Sequence, residues 1–290
     1  MYPERPQRVA VCLAGQMRNF HLCYEALHRY IIAPLNADVF LHTWPESGAP
    51  EWEKNDRLLL HRIENNGKRQ IFATDGHHVP LEHIQISPAL IEALYQPARY
   101  IVGLANDEDS RNVGIDRIPQ ILRELEPRWV AGMLPSLYTQ YVANDLKRRH
   151  EAQAGFKYDI VIRTCPDMLF LSPLPEKLFT GPETLWVFDH EIDPAFQASV
   201  KMVCAPSSVM DIYCDSFLHV DRHFEGFLRR SETETVPVTE RPIGERLLYQ
   251  HAKHRGLTLD SFSMAAKILR QKTIPLSGTW RASTSSTRES

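Results

Sequence analysis

Two short stretches hold the residues best suited to chemistry. The first is Gly15-Gln16-Met17-Arg18-Asn19, which sits between an apolar strand pattern and a helical one. A loop in that position can aim backbone N–H groups and a helix N-terminus at an anion. Gly15 allows a tight turn, and Arg18 adds a fork-shaped cationic donor suited to phosphate. The second is Pro166-Asp167, which follows the strand-favouring run Ile160 to Thr164. In open α/β sheets, ligands bind beyond the carboxyl ends of the strands. A carboxylate there can hold a divalent cation and, through it, a phosphate. A Pro-Asp step also makes an ordinary strand-ending turn whose Asp bonds its own backbone, and pattern alone leaves both readings open.

Several further groups gather at the same kind of position. Arg163 lies near the end of an otherwise apolar strand, where burial demands a partner, either Asp167 or a diphosphate. His42-Thr43-Trp44 closes another strand, and Trp44 can stack on a base or sugar, or cap the core. Asp189-His190-Glu191 follows a third strand. It offers a general base or acceptor-hydroxyl contact, while its spacing supports no metal signature. Glu240 and Glu245 flank Pro242 at a helix start, where acids suit the dipole. Cys165 has no histidine at a recognisable nucleophile spacing, and His77 and His78 read as surface groups in a loop.

The elements that must carry these groups alternate between strand and helix. Arg8 to Ala14 reads as a buried strand, Phe20 to Ile32 as a helix ended by Pro34, and Ala37 to His42 as a second strand. Together they form a β-α-β unit, which predicts a parallel sheet. Residues 45–80 are poor in pattern, with turn signals at 65–67 and 75–76. A helix over 86–97 opens with Ser87-Pro88, Arg99 to Val102 reads as a strand, and 105–114 as a polar loop. A long helix over Leu134 to Gln153 precedes the strand ending at Thr164, with Lys147-Arg148-Arg149-His150 as a solvent-facing helix end. Leu185 to Phe188 and Ser199 to Cys204 read as strands. Ser207 to Val220 reads as a helix with a Ser cap, and Pro242 to Arg255 as another. The expected organisation is one α/β domain over 1–276 and a polar Ser/Thr-rich tail over 277–290.

The formal net charge of −3 is spread along the 290 residues, with no basic block of the kind that binds nucleic acid. No apolar run approaches a membrane span, and the N-terminus lacks a signal-peptide core. The five cysteines, Cys12, Cys23, Cys165, Cys204 and Cys214, match no metal spacing. They read as free thiols, and the expected setting is the cytoplasm. Gly15 to Asn19 is neither a Walker A loop nor a Gly-x-Gly-x-x-Gly fingerprint, which removes support for an ATPase or a nicotinamide enzyme.

With those residues in view, the chain resembles a little-characterised group of bacterial and viral glycosyltransferase-like proteins of the nucleotide-sugar-dependent GT-A type. The resemblance lies in Val9 to Phe20 running into Ile32 to Trp44, in Met133 to Gln140 leading to Tyr158 to Phe170, and in Met202 to Tyr213. It implies a Rossmann-like, mixed and mostly parallel sheet flanked by helices. Gly15, Gln16, Arg18 and Asn19 would face the nucleotide, and Ser136 and Gln140 would line the donor site. Asp167 would stand at the acidic metal motif with Mn or Mg, and Arg163 near the diphosphate. The Asp-x-Asp of that motif is absent, because residue 165 is Cys, and Asp193-Pro-Ala-Phe196 departs from the pattern before the third stretch. The expected activity is transfer of a sugar from a nucleotide-diphosphate donor to an acceptor hydroxyl, with Asp189 or Glu191 as base. A catalytically idle binding protein on the same scaffold is the rival, and a hydrolase using a metal at Asp167 and Asp189 is a third reading.

Overall fold

The computed structural model describes residues 7–18, 20–45, 59–63, 69–73, 86–103, 127–179, 183–188, 201–220, 222 and 244–268. The chain divides into two units, Met1–Gly48 with His83–Leu269, and Ala49–Glu82 with Arg270–Ser290. In the first unit the described elements are β1 (Val9–Ala14), α1 (Phe20–Leu27) and β2 (Asp38–Thr43), then α2 (Pro88–Tyr95) and β5 (Arg99–Val102). They continue with α3 (Pro127–Ala154), β6 (Ile160–Thr164), β7 (Met168–Phe170) and β8 (Thr184–Phe188). The last are β9 (Met202–Ala205), α4 (Ser207–Cys214), α5 (Gly244–His254), β10 (Thr258–Phe262) and β11 (Ala266–Ile268). In the second unit β3 (Leu59–Ile63) and β4 (Arg69–Ala73) pair antiparallel around the 65–67 turn signal. These two strands lie in a stretch whose sequence pattern showed only turns.

The seven-stranded sheet has the order β10-β8-β9-β6-β1-β2-β5. All its neighbours pair parallel except at β9, which runs against both β6 and β8. The result is a mixed, mostly parallel sheet with helices on both faces. β1 is buried along its whole length, as a central strand covered on both sides must be. Its side chains alternate: Val9, Val11 and Leu13 pack with residues of α1 and α2, and Ala10, Cys12 and Ala14 with residues of α3, α4 and α5.

Two helix ends differ from expectation. Pro34 does not stop the first helix. A π turn over His28–Ile32 follows α1, and helix continues through Ala33–Leu35 to a left-handed Asn36. The wider turn frees backbone positions where a residue without an N–H is tolerated. Ser207 does not cap α4 either. The N-cap is Pro206, which makes no side-chain cap bond. At α2 the expectation holds, since the Ser87 hydroxyl accepts from Leu90 N–H at 3.2 Å with Pro88 in the first turn.

Ser207 is used elsewhere. Its hydroxyl donates to Glu151 at 2.6 Å and accepts from Lys147. Lys147 and Glu151 have fully buried side chains 3.4 Å apart, and Lys147 also reaches Asp211 at 2.8 Å. Glu151 accepts further bonds from the Tyr158 N–H at 2.9 Å and the exposed Lys157 at 2.8 Å. Lys147 therefore does not face solvent. It locks α3 to α4 and to the start of β6. Burial alone would push the Glu151 carboxyl up, but the bonds from Lys157, Ser207 and Tyr158, with the Lys147 charge, outweigh it and hold it below its ordinary value.

Candidate functional site

From β1 the chain moves outward to β2 and β5 on one side, then returns through α3 to β6 on the other. The connections leaving β1 and β6 therefore diverge, which opens a crevice at the carboxyl ends of adjacent parallel strands. Leu13 pairs with Thr164 in register, so Gly15 and Asp167 emerge side by side at this switch point.

The β1 exit is built for a close turn. Gly15 has φ +125, strained for any side chain, and its N–H donates to the His42 carbonyl at 3.3 Å. Met17 and Phe20 are buried and anchor the loop to the core beneath α1. Gln16 and Arg18 remain half-buried, and Arg18 Nε donates to Gln16 Oε1 at 3.2 Å. A cationic fork is thus held beside the N-terminal end of α1. Asn19 lies outside the described residues.

At the β6 exit, Met168 N–H donates to the Cys165 carbonyl at 3.2 Å, which makes Pro166-Asp167 the centre of a tight turn. The Asp167 side chain is buried at 3% exposure, and its charge acts on the Cys23 thiol in α1. Among the described residues no group of three or more His, Cys, Asp or Glu could hold a metal. A divalent cation takes several oxygen ligands, of which Asp167 would be one.

Arg163 is fully buried, and its charge acts on the thiols of Cys204 in β9 and Cys214 in α4. Asp167 lies beyond the end of β6, where its charge acts on Cys23 in α1. Trp44 is 7% exposed and stacks on Tyr138 at 6.0 Å, which places its indole in the core. Gln140 is buried, and its amide donates to the Ser136 carbonyl at 3.1 Å; Ser136 itself is half-buried on the same turn of α3. Asp189, Glu191 and Glu240 lie outside the described residues. β8 runs parallel to β6, so β8 ends at Phe188 on the same edge of the sheet as the ends of β1 and β6. Glu245 sits in the first turn of α5, as the dipole favours.

Sequence reasoning placed His42 at the end of β2 but gave it no role of its own. It shares a face with Phe40 and Trp44, and the signal available was that two-residue alternation. Its imidazole Nε2 donates to the Gly103 carbonyl at 2.8 Å. Its Nδ1 is buried without a hydrogen-bond partner. Burial pushes its pKa down to about 4, so the ring is neutral at pH 7. The five cysteines are all free. Burial pushes the thiols of Cys12, Cys23 and Cys204 well up and that of Cys214 to about 12, the wrong direction for a nucleophile.

Fold and site together define an α/β protein of doubly wound type, with a cationic loop and a strand-end carboxylate at its switch point. No family model matches the chain. Part of it is similar to the arginine deiminase of Mycobacterium marinum (strain ATCC BAA-535 / M), 30% identical over 162 residues, which is 54% of this chain. The chain spans only 37% of that relative. Among solved structures it is similar to the apo-form glycosyltransferase GlyE of Streptococcus pneumoniae TIGR4. The TM-score is 0.37 at 10% identity, over 88% of this chain and 45% of that one. No helix among the described residues is long and apolar enough to cross a membrane.

Proposed function

We propose that the chain is a nucleotide-sugar-dependent glycosyltransferase of GT-A type, acting on a hydroxyl of a glycan or small-molecule acceptor. The observation that supports it best is the parallel register of β1 with β6, which brings the exits that carry Gly15 and Arg18 on one strand and Asp167 on the other to the same edge of the sheet. Transfer builds negative charge on the leaving nucleoside diphosphate, and groups already aimed at that charge lower the barrier. Arg18 supplies a cation there, beside the turn made at Gly15. Ser136 and Gln140 complete the donor side from α3. Asp189 or Glu191 takes the acceptor proton, a role that requires hydrogen-bond reach of the hydroxyl. Asp167 would help to hold a divalent cation where one is used, and that cation would offset the same developing charge.

The test is a binding screen of UDP-, GDP-, dTDP- and CMP-sugars with and without Mn²⁺, followed by product analysis on any donor that binds. Arg18→Ala is expected to weaken the nucleoside diphosphate more than the free nucleoside, because charge-assisted bonds to phosphate are the ones lost. Calorimetric titration of both ligands checks this, and equal loss for both points to a disturbed loop. Asp167→Asn, nearly isosteric, is expected to keep the fold and lose transfer; turnover at the wild-type rate in the purified variant rejects its role.

A second reading, a binding protein without turnover, is favoured by one feature: the Asp167 carboxylate is almost wholly buried and its charge bears on Cys23. Donor binding without product in the same screen selects it. Deimination of free arginine, measured alongside, tests the activity named for the Mycobacterium marinum relative.

A further inference from the structure

We infer that His42 Nδ1 is a hydrogen-bond acceptor for the nucleoside half of the bound ligand, satisfied by a base N–H or a ribose O–H. The inference rests on the nucleotide-sugar reading and extends it to a residue outside the phosphate loop.

Three observations carry it. The ring is held in one orientation and one tautomer. Trp44 and Tyr138 meet it edge-on at 5.3 and 5.4 Å, with interplanar angles of 86° and 88°. Its Nε2–H is committed to the Gly103 carbonyl at 2.8 Å, which leaves the lone pair on Nδ1. That acceptor is buried and finds no hydrogen-bond partner. A buried acceptor left unmade is costly, and native proteins keep such groups chiefly where water or a ligand completes them. Finally, His42 lies near the carboxyl end of β2, in register with Ala14 of β1. It is therefore on the ligand edge, about 5 Å from β1 and about 10 Å from β6 by sheet spacing.

The chemistry selects which half of the ligand it meets. A phosphate at neutral pH carries oxygens with few protons to give, so it repels a lone pair. Bases and riboses carry N–H and O–H donors. With the diphosphate over Arg18 and the β1/β6 crevice, the nucleoside extends along the strand ends toward β2. Trp44 and Tyr138 hold His42 in place there, and Arg18 does not compete for that contact.

The experiment uses the full chain and calorimetric titration with UDP, GDP, dTDP and CMP, with the matching nucleosides, and with inorganic pyrophosphate. His42→Gln keeps an amide donor able to reach the Gly103 carbonyl and removes the Nδ1 acceptor. His42→Asn places an amide oxygen near the Nδ1 position and gives up the Gly103 bond. The expected result is about tenfold weaker nucleotide and nucleoside binding in His42→Gln, the scale of one lost hydrogen bond. Pyrophosphate affinity should be unchanged, and His42→Asn should stay within about threefold of wild type on the same scale. Analogues with the base N–H methylated or the ribose hydroxyls removed read the same contact on the unaltered protein, and one of them should bind about tenfold more weakly. Unchanged nucleotide affinity in His42→Gln, an equal loss for pyrophosphate, or wild-type affinity for every analogue overturns the inference while nucleotide binding itself stands. Failure of the wild-type chain to bind any of the four nucleotides removes both this inference and the reading beneath it.

Discussion

Lys147→Met lowers the free energy of unfolding by about 3–5 kcal/mol, because it leaves the buried Glu151 carboxylate without its buried counter-charge. The contrast with Lys157→Met makes the result diagnostic. Lys157 touches the same carboxylate at 2.8 Å, yet its side chain is 63% exposed, and pairs at such sites contribute only about 0–1 kcal/mol. Denaturant titrations of the two variants at pH 7 check the expectation, and equal midpoints contradict it. The pH profile follows from the same carboxylate. Its folded pKa lies below its ordinary value of 4.5, so its contribution is complete above about pH 4.5. It is lost as the pH falls through the lower folded value, when the folded state must also take up the proton. Glu151→Gln should flatten that part of the wild-type stability curve.

The second large effect concerns turnover. If Asp189 or Glu191 deprotonates the acceptor, Asp189→Asn or Glu191→Gln should lower kcat by roughly 10²- to 10⁴-fold, the usual worth of a positioned base. Donor affinity should change little, since the base meets the acceptor and not the diphosphate. The basis is the direction of β8, whose carboxyl end shares the ligand edge with β1 and β6. Kinetics and donor titration on each variant separately decide it. Full activity in both moves the base to Glu240, and lost donor affinity assigns the pair to the donor site.

The central strands were legible because their physics is local. Ile160–Thr164 is a run of β-favouring residues buried on both faces, and the structure places β6 on those residues. The N-terminal β-α-β unit was legible for the same reason, within a residue or two at its strand ends. The polar stripe of α3 was not. Gln140, Asn144, Lys147 and Glu151 recur at helical spacing, and periodicity assigns such a stripe to water. For Asn144, Lys147 and Glu151 the partners, Ser207 and Asp211, lie some 60 residues away in sequence and arrive only when α4 docks. Arg163 illustrates the same limit at the site. Its burial was readable, but the face on which it works depends on the alternation of β6 in the assembled sheet, which places it toward Cys214 of α4. His42 was given no role of its own because a histidine beside a tryptophan drew attention to the larger ring. The reversal of β9 has no local sequence signal at all, since a four-residue apolar strand reads alike in either direction.

That reversal has a consequence for how such a protein can diversify. Because β8 and β9 are antiparallel neighbours, both ends of the segment 189–201 are fixed at the edge where β1 and β6 open their crevice. Lengthening a tethered loop costs little, about 0.6 kcal/mol for each doubling, and leaves the strand register untouched. Residues can therefore be added, removed or exchanged between Phe188 and Met202 while the loop after β1 stays as it is. If the chain transfers sugars as proposed, the half around β1 and β6 can keep one donor chemistry while changes between Phe188 and Met202 try new acceptors one insertion at a time.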